Sequence, residues 1–174
     1  FEGALSFNQP LDQWDVSNVT VMRATFYGAA SFNQDISNWN VSKVWHFGIM
    51  FQGAALFNQN LGNWDIASGG ITAATVSELR GMLGGTSMSA SNYGQILTGW
   101  AALPNIASMY SNGTNNAPAG FGISARYPDI TSVIQARDYL VSLGWDIQDG
   151  GMAVAPTAVG ASSPVSATYT NNTG

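Results

Sequence analysis

The stretch SFNQDISNWNV, residues 31–41, decides the fold of this chain, because the sequence contains it three times. Close copies are SFNQPLDQWDV at residues 6–16 and LFNQNLGNWDI at residues 56–66. Phe, Asn, Gln and Trp recur at the same places in each copy, with a period of 25. A fixed period of roughly 20–50 residues is typical of proteins that stack identical structural units. The first half of the chain is therefore predicted to be a repeat protein.

Each 25-residue unit combines two patterns. Phe32, Ile36 and Trp39 are the apolar residues of a short segment between turn-forming residues, which predicts a short strand. The next segment has apolar residues at intervals of three, four and three, which predicts one to two helical turns; these are Val19, Met22, Phe26 and Ala29. Serines precede this segment as possible N-caps, and glycines follow it as possible left-handed C-caps; they are Ser17, Ser42, Gly28 and Gly53.

A unit of this size cannot bury its apolar side alone, whereas stacked copies can. The predicted fold class is an α/β solenoid, a leucine-rich-repeat-like stack of short strands and short helices. Equivalent side chains then lie above one another as a structural ladder, formed by Asn8, Asn33, Asn58, Trp14, Trp39 and Trp64. The asparagine amides either satisfy backbone groups of the turns or contact a ligand, and the first role is the expectation.

The repeat changes after Ile66, where about seven residues are inserted before the apolar spacing returns at Leu79 and Leu83. We divide the chain into a repeat solenoid at residues 1–85 that starts inside a repeat, a C-terminal capping unit at 86–151, and a tail at 152–174. Because the chain starts inside a repeat, we expect residue 1 to be a fragment boundary. The tail is uncharged, and its composition indicates a linker or the first strand of a following β-domain.

The capping unit is predicted to be small and helical. SMSASNYGQILTGWAAL at residues 87–103 has the spacing of a helix, with Ser89 or Ser91 as its N-cap. DITSVIQARDYLVSLG at residues 129–144 predicts a second helix that ends at Gly144. Between them we expect a loop with one short strand near Met109, and WDIQDGG at residues 145–151 predicts a last strand and a turn.

The composition narrows the classes of partner. Charged residues make up 9% of the chain, against about 25% in typical globular domains, so uncharged polar side chains build the surface. Five scattered basic residues and a formal net charge of −5 argue against nucleic acid and anionic membranes as partners. The chain has no cysteine, and no apolar run reaches the roughly 20 residues of a membrane span. We expect an extracellular or fibrous protein without membrane insertion.

The sequence contains few of the residues that enzymatic catalysis requires. His46 is the single histidine, which excludes a three-histidine zinc site and any Ser-His-Asp relay that does not pass through it. Asp15 and Asp65 occupy one repeat position, where turn formation explains them. Asp146 and Asp149 belong either to a turn or to a weak calcium loop, without the DxDxDG pattern. We expect no catalytic residue, no metal site and no cofactor.

The segments FNQDISNWNVSKV and MFQGAALFNQNLGNWDI, with the later GWDIQDGG, resemble the BspA-type bacterial surface-protein repeat family, known from mycoplasma lipoproteins and Listeria surface proteins. The resemblance covers residues 1 to about 151. It implies a leucine-rich-repeat-like solenoid on a secreted or surface-anchored protein, closed by a C-terminal unit. It implies no active-site residues.

A solenoid binds through side chains that differ from unit to unit. Trp45 stands where the preceding unit has Thr20, beside His46, and Tyr27 is a further variable aromatic. These three residues are the candidate binding residues, because aromatic side chains on an uncharged surface suit sugars or proteins. The alternative for Trp45 is packing against an adjacent insertion or another chain.

Two functions remain open from the sequence. The first is a non-enzymatic extracellular or cell-surface module for adhesion, with a surface protein or glycan of a host or neighbouring cell as partner. The second is a structural subunit of a surface fibre, in which repeat ends or the tail join copies of the chain. Sequons begin at Asn18, Asn40, Asn112 and Asn171, and the sequence leaves their glycosylation open.

Overall fold

The computed structural model of the chain describes residues 1–69, 79–107, 126–147 and 149–153. Within them, regular secondary structure follows the repeats: helix α1 (Ala90–Ala101), strand β1 (Tyr127–Pro128), helix α2 (Thr131–Ser142) and strand β2 (Met152–Ala153). The two strands pair in parallel, with Tyr127 opposite Met152 and Pro128 opposite Ala153. The expected strand near Met109 and the tail beyond Ala153 lie outside the described residues.

The predicted strands and helices of the repeat units are wrong. Residues 1–69 form a succession of turns, and their only bridge of strand type is the isolated parallel pair Val21–His46. Ser17 and Ser42 consequently cap no helix. The N-terminal region is thus poor in regular secondary structure, and its order comes from contacts between the copies.

The physical reason lies in the hydrogen bonds of residues 22–29. Thr25, Tyr27 and Ala29 each donate their backbone N–H to the carbonyl three residues earlier, as in successive β-turns. Ala24 and Gly28 have positive φ angles of 56° and 67°, which interrupt the right-handed conformation that a helix needs. The apolar spacing of three, four and three therefore comes from a chain of turns.

The backbone N–H groups of the alternate residues, which are not used inside these turns, donate to carbonyls of the next unit. Four of them donate over 2.8–3.2 Å, from Met22 to His46, Ala24 to Gly48, Phe26 to Met50 and Gly28 to Gln52. In the next unit the equivalent bonds run from Ile49 to Arg80, Phe51 to Met82 and Gly53 to Gly84. Donor and acceptor lie further apart in sequence in this second set, which confirms the insertion inferred from the sequence.

The core between the units is built from columns of aromatic rings. Phe26 lies with its ring centroid 5.5 Å from Phe1 and 5.6 Å from Phe51, and all three rings are nearly parallel. A second column contains Phe32 and Phe57, 6.0 Å apart, and within each unit the two columns stack at about 4 Å. Except at the N-terminal end, these rings are fully buried, so the recurring Phe positions form the apolar interior.

Both predicted C-terminal helices are confirmed, as is the Ser89 N-cap, whose hydroxyl accepts a bond from the N–H of Asn92. Helix α1 packs directly on the third unit, since a side-chain carbon at Gly99 would overlap the carbonyl of Gly62. Helix α2 packs against α1 and ends at Ser142; Leu143 is its C-cap, and Gly144, the expected terminating glycine, follows with a φ of 94°.

The chain beyond α2 is held by a buried carboxylate. Asp149 accepts 3.0 Å bonds from Arg137 Nε, from the Tyr93 hydroxyl and from the backbone N–H of Gly151. Burial, followed by the charge and hydrogen bond of Asp149, raises the pKa of Tyr93 far above its ordinary range. Asp149 therefore ties both helices to the last described segment.

Candidate interaction surface

The asparagines of the repeats bond the copies together. Asn8 Oδ1 accepts the backbone N–H of Asn33 at 2.9 Å, and Asn33 Oδ1 accepts that of Asn58 at 2.8 Å. Gln34 and Gln59 donate their side-chain amides to the same asparagine oxygens. These amides thus satisfy backbone donors, and their oxygens are occupied by neighbouring units.

The tryptophans make a second series of bonds. Trp39 Nε1 donates to the carbonyl of Leu11, and Trp64 Nε1 donates to that of Ile36, each over 3.0 Å. The two indole rings stack 6.4 Å apart and are buried. Trp14 is 54% exposed, because no described residue lies on its outer side.

Helix α1 continues both series, which the sequence did not reveal. Asn58 Oδ1 accepts the N–H of Ser89 and the side-chain amide of Asn92, over 2.8 and 3.0 Å. Trp100 Nε1 donates to the carbonyl of Leu61 at 3.0 Å, as the earlier tryptophans do to the preceding unit. Because a helix presents these groups, their sequence spacing departs from 25 and leaves no periodic signal.

The rings of Trp45, which is exposed, and His46, which is half-buried, form a pair on the side of the stack. The two rings lie nearly parallel with centroids 5.4 Å apart, and Trp45 is 37% exposed. Trp45 donates its backbone N–H to the carbonyl of Thr20, which places it beside the preceding unit. Val21, paired with His46 and 46% exposed, is a surface residue that the sequence analysis missed. We call Val21, Trp45 and His46 the Trp45 patch.

The Trp45 patch is uncharged near neutral pH. Burial, together with the positive charge of Arg23, lowers the pKa of His46 below its ordinary value, so the imidazole is neutral. The nearby Lys43 ammonium, which keeps its charge, donates to the side-chain oxygen of Asn18 at 2.7 Å. The patch thus offers aromatic and aliphatic surface with hydrogen-bonding groups around it.

Tyr27 lies apart from this pair. It is 40% exposed and lines a groove of about 450 Å³ together with Gln52 and five glycines, a groove that neither Trp45 nor His46 lines. The glycines arise where successive units place left-handed residues above one another, such as Gly28 and Gly53. The structure therefore separates the three candidate binding residues into two surfaces.

The aspartates of the repeats serve the turns. Asp15 accepts the backbone N–H of Ser17 at 2.9 Å, and Asp35 accepts that of Ser37 at the same distance. The hydrogen bonds from Ser17 and Ser37 hold the pKa of both carboxyl groups below the ordinary value. Asp65 bonds the N–H groups of Ala67 and Ser68 in the same way.

A family model for "Mycoplasma protein of unknown function, DUF285" matches residues 1–100, which contain the three copies and most of α1. The chain belongs to the DUF285 family. Neither a curated protein nor a solved structure matches it. In the described ranges of this DUF285 chain, no group of three or more metal-ligating side chains is found, and no helix is long and apolar enough to cross a membrane.

Proposed function

We propose that this DUF285 chain is a non-enzymatic, extracellular or cell-surface repeat module that binds a surface protein or glycan of another cell. We further propose that its three copies form a leucine-rich-repeat-like solenoid of the BspA type. The support is the repeated bonding between units, in which Asn33 and Trp39 each contact the preceding copy. A stack of this kind presents a broad, rigid side surface for binding.

The Trp45 patch is the observation on which the binding role rests. Trp45 replaces the Thr20 of the preceding unit, although that position needs no aromatic ring for stacking. The ring remains 37% exposed, while Phe51 and Trp64 of the same stack are fully buried between units. A large aromatic side chain held by its backbone to the neighbouring unit is preorganised for contact with a partner.

The chemistry of the patch favours an uncharged contact. His46 is neutral near pH 7, and the ring faces of Trp45 and His46 offer apolar surface to the C–H face of a sugar or to an apolar side chain. Only 9% of the chain is charged, so long-range electrostatic attraction contributes little to the encounter.

The test exchanges Trp45 for the residue of the sister unit, Trp45→Thr, in a glycan-array and cell-attachment assay. Attachment should fall at least about tenfold, as for an aromatic residue at the centre of an interface, with the melting temperature unchanged. Tyr139→Ser is the matched control, because Tyr139 is an equally exposed aromatic (42%) on α2. Equal attachment by parent and Trp45→Thr would refute a binding role for the patch.

In the fibre alternative, joining copies through the repeat ends requires an uncovered face at both ends of the stack. Helix α1 covers the C-terminal face, where Ser89 and Trp100 occupy the bonding positions of a further unit. Joining copies through that end is therefore not favoured. Joining through the tail concerns residues 154–174, which lie outside the described part of the chain.

A further inference from the structure

Two arginines of different units lie on either side of Gly48. Ala24 donates its backbone N–H to the carbonyl of Gly48, and Ile49 donates its own to the carbonyl of Arg80, over 3.2 and 2.9 Å. These bonds place Arg23, Gly48 and Arg80 at the same position of three successive units. Because hydrogen-bonded neighbouring backbones lie roughly 5 Å apart, the two arginine backbones are separated by roughly 10 Å, with Gly48, which has no side chain, between them.

Both arginine side chains extend from the same side of the stack into solvent. Arg23 and Arg80 are exposed, and each directly follows a buried residue, Met22 and Leu79 respectively. Neither guanidinium makes an ion pair or a hydrogen bond with another described residue. Glu78, the acidic residue nearest to Arg80 in sequence, lies outside the described residues. The chain has a net charge of −5 and only five basic residues, so two cations at one position of the stack are a local exception.

The space between the two arginines adjoins the Trp45 patch. Gly48 follows two residues after His46, whose ring stacks with that of Trp45 at 5.4 Å. Burial and, second, the positive charge of Arg23 lower the pKa of His46, so the guanidinium lies within electrostatic range of the imidazole. An uncharged aromatic surface and a pair of cations therefore lie side by side on the stack.

We propose that this surface binds an acidic glycan, with a neutral sugar ring on Trp45 and the carboxylate of an adjoining sugar between Arg23 and Arg80. The inference rests on the binding role proposed above for the Trp45 patch and adds the charge of its ligand. A guanidinium presents its N–H groups as a planar fork that matches a carboxylate, and an aromatic ring accepts the C–H face of a sugar.

An extended acidic peptide suits this surface less well than a glycan. Peptides that bind in extended form usually pair with a free backbone edge. Here the backbones of the two units already bond each other, since Trp45 donates its N–H to Thr20 and Met22 donates its N–H to His46, over 3.0 and 2.8 Å. Side chains are therefore the main groups that this surface offers, as recognition of a glycan requires.

The test measures binding of the full chain to an array of uronate- and sialate-containing oligosaccharides, each beside its carboxyl-reduced form. The parent should bind acidic members at least about fivefold more tightly than their reduced forms, and less tightly as salt is raised. Arg23→Gln and Arg80→Gln should each weaken binding to the acidic form by about fivefold, with melting temperature and binding to the reduced form unchanged. Arg126→Gln is the matched control, because Arg126 is equally an exposed arginine but precedes β1 in the capping unit.

Equal affinity of the parent for acidic and reduced forms would overturn the inference, and so would an effect of Arg126→Gln as large as that of Arg23→Gln. Failure to bind any glycan of the array would overturn it too. Cell attachment of Trp45→Thr separates this failure from that of the proposed function. Attachment that still depends on Trp45 keeps the binding role and indicates a protein partner, whereas attachment independent of Trp45 refutes both.

Discussion

Replacing Asn33 by Ala tests whether the asparagines hold the repeat units together. Asn33 Oδ1 accepts 2.8 Å bonds from the backbone N–H of Asn58 and from the side-chain amide of Gln59. Asn33→Ala removes that acceptor. Gln59 retains its 2.8 Å bond to the Asn33 carbonyl, whereas the half-buried N–H of Asn58 is left unpaired.

The expected loss in the free energy of unfolding depends on how deeply these hydrogen bonds are buried. An unpaired buried N–H costs roughly 1–3 kcal/mol, and because Asn58 is half-buried we expect Asn33→Ala to lose about 1–2 kcal/mol. Asn8 makes the equivalent bond to Asn33 at an exposed position, where water replaces the lost acceptor. Asn8→Ala should therefore cost less than about 0.5 kcal/mol.

The assay is equilibrium unfolding in urea, with thermal unfolding as a second measurement. The loss for Asn33→Ala corresponds to a fall in melting temperature of about 2–8 °C for a chain of this size. Asn33→Asp is the matched control, since it keeps an oxygen at the bonding position and charge strengthens the bonds from N–H donors. We expect this variant to remain within about 0.5 kcal/mol of the parent.

Equal destabilisation by Asn8→Ala and Asn33→Ala would refute the reasoning, because burial would then not set the cost. So would a loss for Asn33→Asp as large as for Asn33→Ala, which would assign the effect to the amide NH₂ group instead of its oxygen. Hydrogen exchange gives a local check, since the Asn58 amide should lose protection only in Asn33→Ala.

Three more perturbations have outcomes set by the structure. Ala24→Gly should raise the free energy of unfolding by about 1 kcal/mol in urea, because Ala24 has a φ of 56° and the third unit has Gly81 there; a clear loss would contradict this. Burial lowers the pKa of His46, so below about pH 6.5 the unfolded chain binds a proton that the folded chain does not, and the free energy of unfolding should fall as the pH drops. His46→Gln should reduce this fall, measured by urea titrations at pH 7.5 and 5. Arg137→Met leaves the carboxylate of Asp149, 2% exposed, without its cation and should cost about 3 kcal/mol by the same assay, whereas a cost below about 1 kcal/mol would show that the pair is dispensable.

Much of the scaffold could be predicted from the repeated residues. A side chain that recurs with the period of the repeat occupies the same place in each unit, so the recurrence of Phe32, Asn33 and Trp39 already indicates stacking between copies. The helices of the capping unit could be predicted for a different reason: their apolar spacing and the Ser89 cap are local signals.

The conformation inside each unit could not be predicted in this way. The spacing of Val19, Met22 and Phe26 is the same for a helix and for successive turns, and the difference depends on where each N–H finds its acceptor. Ala24 and Ile49 adopt positive φ angles of 56° and 50°, which residue type does not favour. Bonds to the neighbouring unit hold them in that conformation.

The candidate binding surface, too, could be predicted from the sequence only in part. That Trp45 and Tyr27 differ from their sister residues was readable from the three copies, but their separation into two surfaces depends on how adjacent units align. The sequence alone determined the period, the buried ring positions and the asparagine ladder, since each repeats with the unit. Only the tertiary structure decided the turn conformation and the covering of the last unit by α1, because both depend on hydrogen-bond partners that lie in a neighbouring unit, far away in sequence.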